Sequence, residues 1–276
     1  VPWGDRQLKS IRSSDVQSWV AREQKRGLAA STIKTRLNYV SMAFRAAVAD
    51  RRIPASPAEG VSAPRQRRAE ASMHLLDVKQ LRAALDAADS FQPIVALCAF
   101  AGLRLGEAAG LRVRDVDFLR RTIRVEQQVQ GSTLKPAKIV PPKYGEERSI
   151  YVPDELLRTL SAHLADNGGD DLVIVDLLGR KFNRSTAGEQ WRRIRTAAKL
   201  PADVTLHALR HTYASNLIAA GCDVVTVQRA LGHSQPSITL NTYAHLWPSA
   251  EDRIRAATAD FARSVLDSAD SVRTGS

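Results

Sequence analysis

Residues 53–70 read IPASPAEGVSAPRQRRAE, and no other stretch limits the fold as much. Each of its three prolines fixes φ and removes a backbone donor, and a glycine interrupts them. Neither a helix nor a central strand is expected to run through it. The chain should therefore fold as two parts, a first domain over residues 1–67, with a linker at about 53–70, and a second over 68–276. A chain of 276 residues that is 44% apolar is long enough to bury two cores.

The two sides of the break differ in charge. Residues 1–70 hold 14 Lys/Arg against 6 Asp/Glu, which is eight of the chain's net +11. A sequence pI near 10.1 with ordinary apolar content points to a polyanionic partner, and nucleic acid is the first candidate. Most of the basic residues are arginines, whose planar fork suits phosphate. Arg and Ala richness is also what a GC-rich genome produces. Lys34 and Arg36, together with Arg65, Arg67 and Arg68 at the break, are candidate contacts to a DNA backbone; a solvated charge run is the plainer reading of the last three.

The first part reads as helices. SSDVQSWVAREQKRG opens on capping residues and closes at Gly27. STIKTRLNYVSMAFRAAVADR carries Ile33, Leu37, Phe44 and Val48 on one face, with Ser31 as the expected N-cap. The second part is mixed. LLDVKQLRAALDAA, FQPIVALCAFAG, DELLRTLSAHLA and STAGEQWRRIRTAAKL read as helices. RTIRVEQQV and RSIYVP alternate as strands do, and QGSTLKPAKIVPPKYGEE between them reads as a long, Pro-rich connection. From Thr205 onward the pattern is helical, broken at Gly221 and Gly232. The expected fold class is mainly α with a small antiparallel β-sheet (α+β). Beyond Pro248, Ile254, Ala257, Phe261 and Val265 recur at helical spacing, so a helix over about 249–267 shows an apolar stripe with no obvious partner in a compact domain.

Cys98 and Cys222 form no disulfide framework and read as buried thiols of a reducing compartment. PIVALCAFAGL, the longest apolar run, is too short to span a bilayer, no signal peptide is visible, and a cytoplasmic location with no membrane partner is expected. The chain opens on Val1 rather than Met, as a fragment of a longer protein would.

Four histidines fall between residues 207 and 245. His207 and His211 share a helix face at a spacing that suits zinc, and a zinc hydrolase is one reading of them. Yet Ala208 stands where a zinc protease needs glutamate, and no Cys pair is near. No metal and no other cofactor is expected. Phosphoryl transfer without metal needs guanidinium forks and imidazoles for the developing charge, a proton donor for the leaving alkoxide, and a hydroxyl nucleophile. The sequence supplies each: Arg104 in AGLRLGEAAGL, His207 and Arg210 in HALRHT, His233 in LGH, Tyr243 in NTYAH, and Lys143 in PPKYGEERS.

In order and spacing these residues resemble the tyrosine recombinase family, the integrases of phages and mobile elements, and here an integrase of an actinobacterial phage or element. The resemblance covers the whole second part and, more loosely, the first. It implies a helical core-type DNA-binding domain plus a catalytic domain, clamping duplex DNA at core-type sites. Tyr243 would attack the scissile phosphate, forming a 3′-phosphotyrosine and freeing a 5′-hydroxyl. Arg104 and Arg210 would hold the non-bridging oxygens, His233 would add a hydrogen bond, His207 would take the tyrosine proton, and Lys143 would protonate the leaving oxygen. Lys143 is chosen over Lys135 and Lys138 because it lies nearest ERSIYVP. Glu107 would orient the Arg104 loop. His211 belongs to the motif without being a phosphate ligand, His245 is expected to play no part, and Ser234 to Asn241 would tether the tyrosine. The resemblance also implies a homotetramer exchanging strands through a Holliday junction, accessory DNA-bending or directionality proteins, and docking of the 249–267 helix on a neighbouring subunit rather than its own domain. An amino-terminal arm-binding domain is expected to precede Val1 in a longer protein, unless the chain resembles the naturally short, chromosome-dimer-resolving type. A type IB topoisomerase-like enzyme and a non-catalytic DNA-binding protein are the alternatives.

Overall fold

A computed structural model describes residues 2–64, 73–142, 147–167, 171–176, 179–247 and 250–273, with backbone alone at 167, 250, 252–253 and 267–273. The chain divides into two compact units, Val1–Ser72 and Met73–Ser276.

The first unit is built on two helices, α1 (Ser13–Lys25) and α2 (Ala30–Ala49). Val16, Trp19, Val20 and Glu23 recur at helical spacing on α1 and face Ile33, Leu37, Phe44 and Ala47 of α2. Trp3 closes one end of this core edge-on to Trp19, ring centroids 5.8 Å apart. Residues 53–58, read above as the start of a linker, belong to this core: Ile53 and Ala58 are buried in it, and Ser13 Oγ donates to the Pro57 carbonyl at 2.9 Å. Packing of Ile53 and Ala58, together with that hydrogen bond, holds an irregular segment against the helices. Ala29, not Ser31, is the N-cap of α2, and Ser31 lies in its first turn. Lys34 and Arg36 are exposed on α2, and Arg36 pairs with the buried Glu23, which also bonds Arg26 at 3.0 Å. Arg65, Arg67 and Arg68 lie outside the described residues.

The second unit is mostly helical. α4 (Gln92–Phe100) is apolar all round and forms its centre, with Pro93 through Ala99 all buried. Against it pack α3 (Val78–Asp86), α5 (Leu105–Ala109), α6 (Asp154–Asn167) and α8 (Leu206–Ala219). α7 (Arg184–Ala197) covers α3 and α5, and α9 (Val224–Leu231) and α10 (Pro236–Tyr243) follow α8. A three-stranded antiparallel sheet in the order β1-β2-β5 joins Val116–Asp117, Thr122–Val125 and Arg148–Tyr151, with Ile123 paired to Val116 on one side and to Ile150 on the other.

The Pro-rich connection is more regular than its composition suggests. Residues Gln128–Ser132 (β3) and Lys135–Val140 (β4) form a hairpin, with Val129 paired to Ile139. Its register breaks between Gln130 and Ser132, and Pro136 takes no place in the ladder there, so its missing N–H is not needed. Val129, Ala137 and Ile139 turn toward the main core. Lys135 and Lys138 sit on β4, whereas Lys143 lies outside the described residues.

The carboxy-terminal helix α11 spans Ala250–Arg273. Ile254 (64%), Phe261 (70%) and Leu266 (66%) are exposed along it. Cys98 is buried, but Cys222 is only half-buried. No described helix is long and apolar enough to cross a membrane.

Candidate active site

The site is assembled from two helix ends. α4 stops at Gly102 (φ 62°) and α9 at Gly232 (φ 58°), both in the left-handed conformation that glycine adopts without strain. Neither position has room for a Cβ, which would meet the Tyr213 ring at Gly102 and the Arg148 guanidinium at Gly232. Helix carboxy-termini carry unpaired carbonyls and partial negative charge, and cations settle there. Arg210, on α8 and 1% exposed, bridges both ends: one guanidinium nitrogen donates to the Gly102 carbonyl, the other to that of Leu231. Arg104, in the loop after Gly102, donates to the Gly232 carbonyl at 2.8 Å.

A buried carboxylate ties these cations together. Glu107, 2% exposed, accepts from the Arg104 backbone N–H (2.9 Å) and from Arg104 Nη1 (2.8 Å). It also accepts from Arg148 Nη1 (3.2 Å) and Nη2 (2.8 Å), and Arg148 Nε reaches the Ala230 carbonyl at 3.2 Å. Burial pushes the Glu107 carboxyl up, but the hydrogen bonds and positive charge of Arg148, helped by Arg104 and Arg210, outweigh it and hold the group at about 2. The carboxylate is thus ionised at every working pH and fixes the Arg104 loop.

Arg148 was not among the residues singled out from sequence. The signal was there: in the strand RSIY, Arg148 is in phase with Ile150, which is buried, while Ser149 and Tyr151 are exposed. A charged residue on the core side of a strand needs a buried partner, and Glu107 is that partner.

The histidines divide by position. His207 is exposed and lines a cleft of about 460 Å³ with Arg210, Leu103 and Leu105, flanked by Arg184, Arg192 and Arg195 of α7. His233 follows Gly232, and its Nδ1 is 2.9 Å from the hydroxyl of the fully buried Thr239. Burial lowers His233 to about 4, with Arg210, Arg104 and Arg148 adding to the effect. His245 is exposed.

Tyr243 is the last residue of α10, so the expected tether is itself helical from Pro236. Its side chain is 1% exposed and packs among Ala214, Ile218, Val227 and Leu231. Burial raises its hydroxyl to about 12 against the pull of Arg210. The partner of that hydroxyl is His211, with Nδ1 2.8 Å from Oη, and not His207. The His207 ring stands edge-on to His211, centroids 4.5 Å apart. Both histidines lie on α8, but the pairing faces α10, an element 32 residues on, and helix periodicity could not say which of them it would meet. Among the described residues, no group of three or more His, Cys, Asp or Glu is placed to hold a metal ion. What the arrangement offers is a dense field of positive charge and N–H donors beside a tyrosine hydroxyl, as suits an anionic phosphodiester.

The sequence pattern of the phage integrase family matches residues 74–249. The tyrosine recombinase XerC of Mannheimia succiniciproducens is 27% identical over 263 residues, covering 88% of this chain and 83% of its own length. A tyrosine recombinase XerC-like protein of Caldanaerobacter subterraneus subsp. tengcongensis is 25% identical over 271 residues, covering 87% of this chain and 69% of its own length. Among solved structures, the Tn1549 transposon integrase in complex with a circular intermediate DNA shares the fold with a TM-score of 0.74 at 22% identity, over 92% of this chain and 86% of that one. A lambda integrase dimer bound to a COC′ core site gives 0.61 at 19% identity, over 84% and 82%. With its two arginine-bound helix ends and its tyrosine inside the matched span, the chain belongs to the phage integrase family, the tyrosine recombinases, which cut and rejoin DNA through a covalent bond to tyrosine.

Proposed function

We propose that this chain performs site-specific recombination with Tyr243 as the nucleophile and Arg104 and Arg210 as the phosphate clamp. The observation that carries the reading is the convergence of both arginines on the helix ends at Gly102 and Gly232, with His207, His233 and the Tyr243–His211 pair around them. Tyr243 Oη attacks the scissile phosphorus, the bond to the 5′-oxygen breaks, and the DNA 3′-end is left on the tyrosine. The phosphodiester bond energy is kept in the phosphotyrosine, so a free 5′-hydroxyl reverses the step without an external energy source. Charge that builds on the non-bridging oxygens meets fixed guanidiniums, so little reorganisation is needed as it forms. His207, exposed beside Arg210, and His233, after Gly232, are assigned to the same oxygens as N–H donors. Lys143 is assigned to the leaving oxygen on its sequence position.

Duplex DNA with core-type sites is the substrate this reading requires. Arg184, Arg192 and Arg195 along the cleft, and Lys34 and Arg36 on α2, are suited to its backbone. A homotetramer resolving a Holliday junction is the working assembly, with α11 laying its exposed apolar residues on a neighbouring subunit. Accessory DNA-bending or directionality proteins belong to the same proposal.

A suicide DNA duplex nicked beside the cleavage point tests this. The wild-type protein is expected to accumulate a covalent protein–DNA adduct and Tyr243→Phe none; an adduct formed by the variant removes Tyr243 from its role. Relaxation of a supercoiled plasmid lacking any recombination site would instead favour a type IB topoisomerase-like enzyme, and no adduct from either protein a DNA-binding protein without catalysis.

A further inference from the structure

We propose that His211 takes the proton from Tyr243 as the tyrosine oxygen attacks the DNA phosphate. This rests on the reading of Tyr243 as nucleophile and adds a residue to it. The geometry is specific. His211 Nδ1 is 2.8 Å from Oη, a distance at which a proton can be passed directly. The rings meet at a centroid distance of 5.5 Å and an interplanar angle of 62°. His207 is displaced from this contact by His211 itself, which stands against it edge-on.

The direction of the hydrogen bond follows from the protonation states. Tyr243, raised to about 12 by burial, is protonated at neutral pH, so its O–H is available to donate. Burial first, then His207 and Arg210, lowers His211 to about 4, so its ring is neutral, and Nδ1 accepts when Nε2 carries the proton. The groups facing His211 are His207 and Arg210 of its own helix and Tyr243 of α10. In the resting chain transfer is strongly uphill and the tyrosine stays protonated. An anionic phosphate against Arg210 offsets the positive charge that adds to burial in keeping His211 a weak base. DNA binding therefore raises the basicity of the acceptor where and when the nucleophile is needed. In the step itself the Oη–H bond breaks and its proton passes to Nδ1, the Oη–P bond forms, and the P–O5′ bond breaks. The leaving oxygen takes a proton from a separate acid, for which Lys143 is the candidate. In rejoining, the His211 proton returns to Oη as the phosphotyrosine is displaced.

The test is single-turnover cleavage of the nicked suicide duplex by the full chain across pH, with three variants. His211→Asn keeps a polar atom near the Nδ1 position but cannot act as a base at neutral pH. It is expected to bind the duplex in gel shifts as wild type does, cleave on the order of 100-fold more slowly at pH 7, and gain rate steadily as rising pH ionises the tyrosine. His211→Ala is expected to be slow and to regain cleavage with added imidazole. Wild-type rate and pH profile in His211→Asn would overturn the inference. So would slow cleavage with an unchanged profile and no imidazole rescue of His211→Ala, which marks a packing role. Tyr243→Phe separates the two levels: an adduct from that variant overturns the nucleophile assignment and this inference with it, whereas Tyr-dependent adducts with unaffected His211 variants overturn this inference alone.

Discussion

The two sides of the candidate site are held in different ways. On the phosphate side, Arg104, Arg148 and Arg210 are fixed by Glu107 and by the carbonyls of Gly102, Ala230, Leu231 and Gly232. On the tyrosine side, the eight residues of α10 rest on a small apolar cluster, on the His211 contact and on the hydrogen bond between the buried Thr239 and His233. The helix that follows exposes much of its apolar surface. The first side is built before DNA arrives. The second is held by apolar packing and by neutral hydrogen bonds to His211 and His233, with no ion pair among the described residues of α10. Electrostatic preorganisation needs the first arrangement, because donors that must move at the moment of reaction lose much of their effect.

The largest expected effect comes from breaking the rigid side at its centre. Glu107→Ala leaves Arg148 buried and Arg104 loose, each without a counter-charge. Removing one partner of a buried ion pair costs about 3–5 kcal/mol, so a large fall in melting temperature and loss of cleavage are expected. Retained stability would mean the two arginines find other partners. A milder form of the same attack is acid. Glu107 lies at about 2 against an ordinary 4.5, so its stabilising contribution is present above 4.5 and is lost as the pH falls toward 2. His211 and His233 lie at about 4 against 6.5. Between those values the unfolded chain binds protons that the folded one refuses, so stability begins to fall below about pH 6.5, before Glu107 titrates. Thermal melts from pH 7 to pH 3 check the order, and a flat curve down to pH 4.5 would show that neither histidine is held neutral by the fold.

What could be read from sequence follows the same division. Arg104, His207, Arg210, His233 and Tyr243 were visible because each sits at a helix boundary or on a helix face, and glycine stops and helical spacing are local signals. The two-part organisation was visible for a similar reason, since proline acts on its own neighbours. Arg148 and the His211–Tyr243 pair were not singled out, because their partners lie 41 and 32 residues away. The β3–β4 hairpin was hidden by Pro136, which sits where the ladder skips a pair. In each case the missing information was which buried surface a residue would meet, and this is set by packing of whole elements.

A smaller effect is expected where the rigid side touches a helix end. Gly232→Ala puts a Cβ at left-handed φ and 2.7 Å from Arg148 Nη1. The backbone term is about 1–2 kcal/mol, and the Arg148 side chain must shift from Glu107 or from Ala230. Cleavage is expected to fall on the order of tenfold, because displacing the Gly232 carbonyl moves Arg104. A variant as stable and active as wild type would show that Arg148 has slack the hydrogen bonds do not suggest.

The smallest effect on the fold, and the sharpest contrast, belongs to α11. Phe261 is 70% exposed, and Ile254 and Leu266 nearly as much, so their replacement by serine removes little buried surface from the isolated chain. The triple variant is expected to melt within about 0.5 kcal/mol of wild type and to bind a single core site normally. If these residues dock on a neighbour, complexes holding more than one subunit per DNA should weaken in gel shifts, with the loss confined to the higher-order bands. Deletion of the chain after Pro248 should reproduce that pattern. Normal higher-order complexes from both proteins would remove α11 from assembly. A marked drop in melting temperature would mean that the helix packs on its own unit in solution, and the tyrosine side would then be anchored as firmly as the phosphate side.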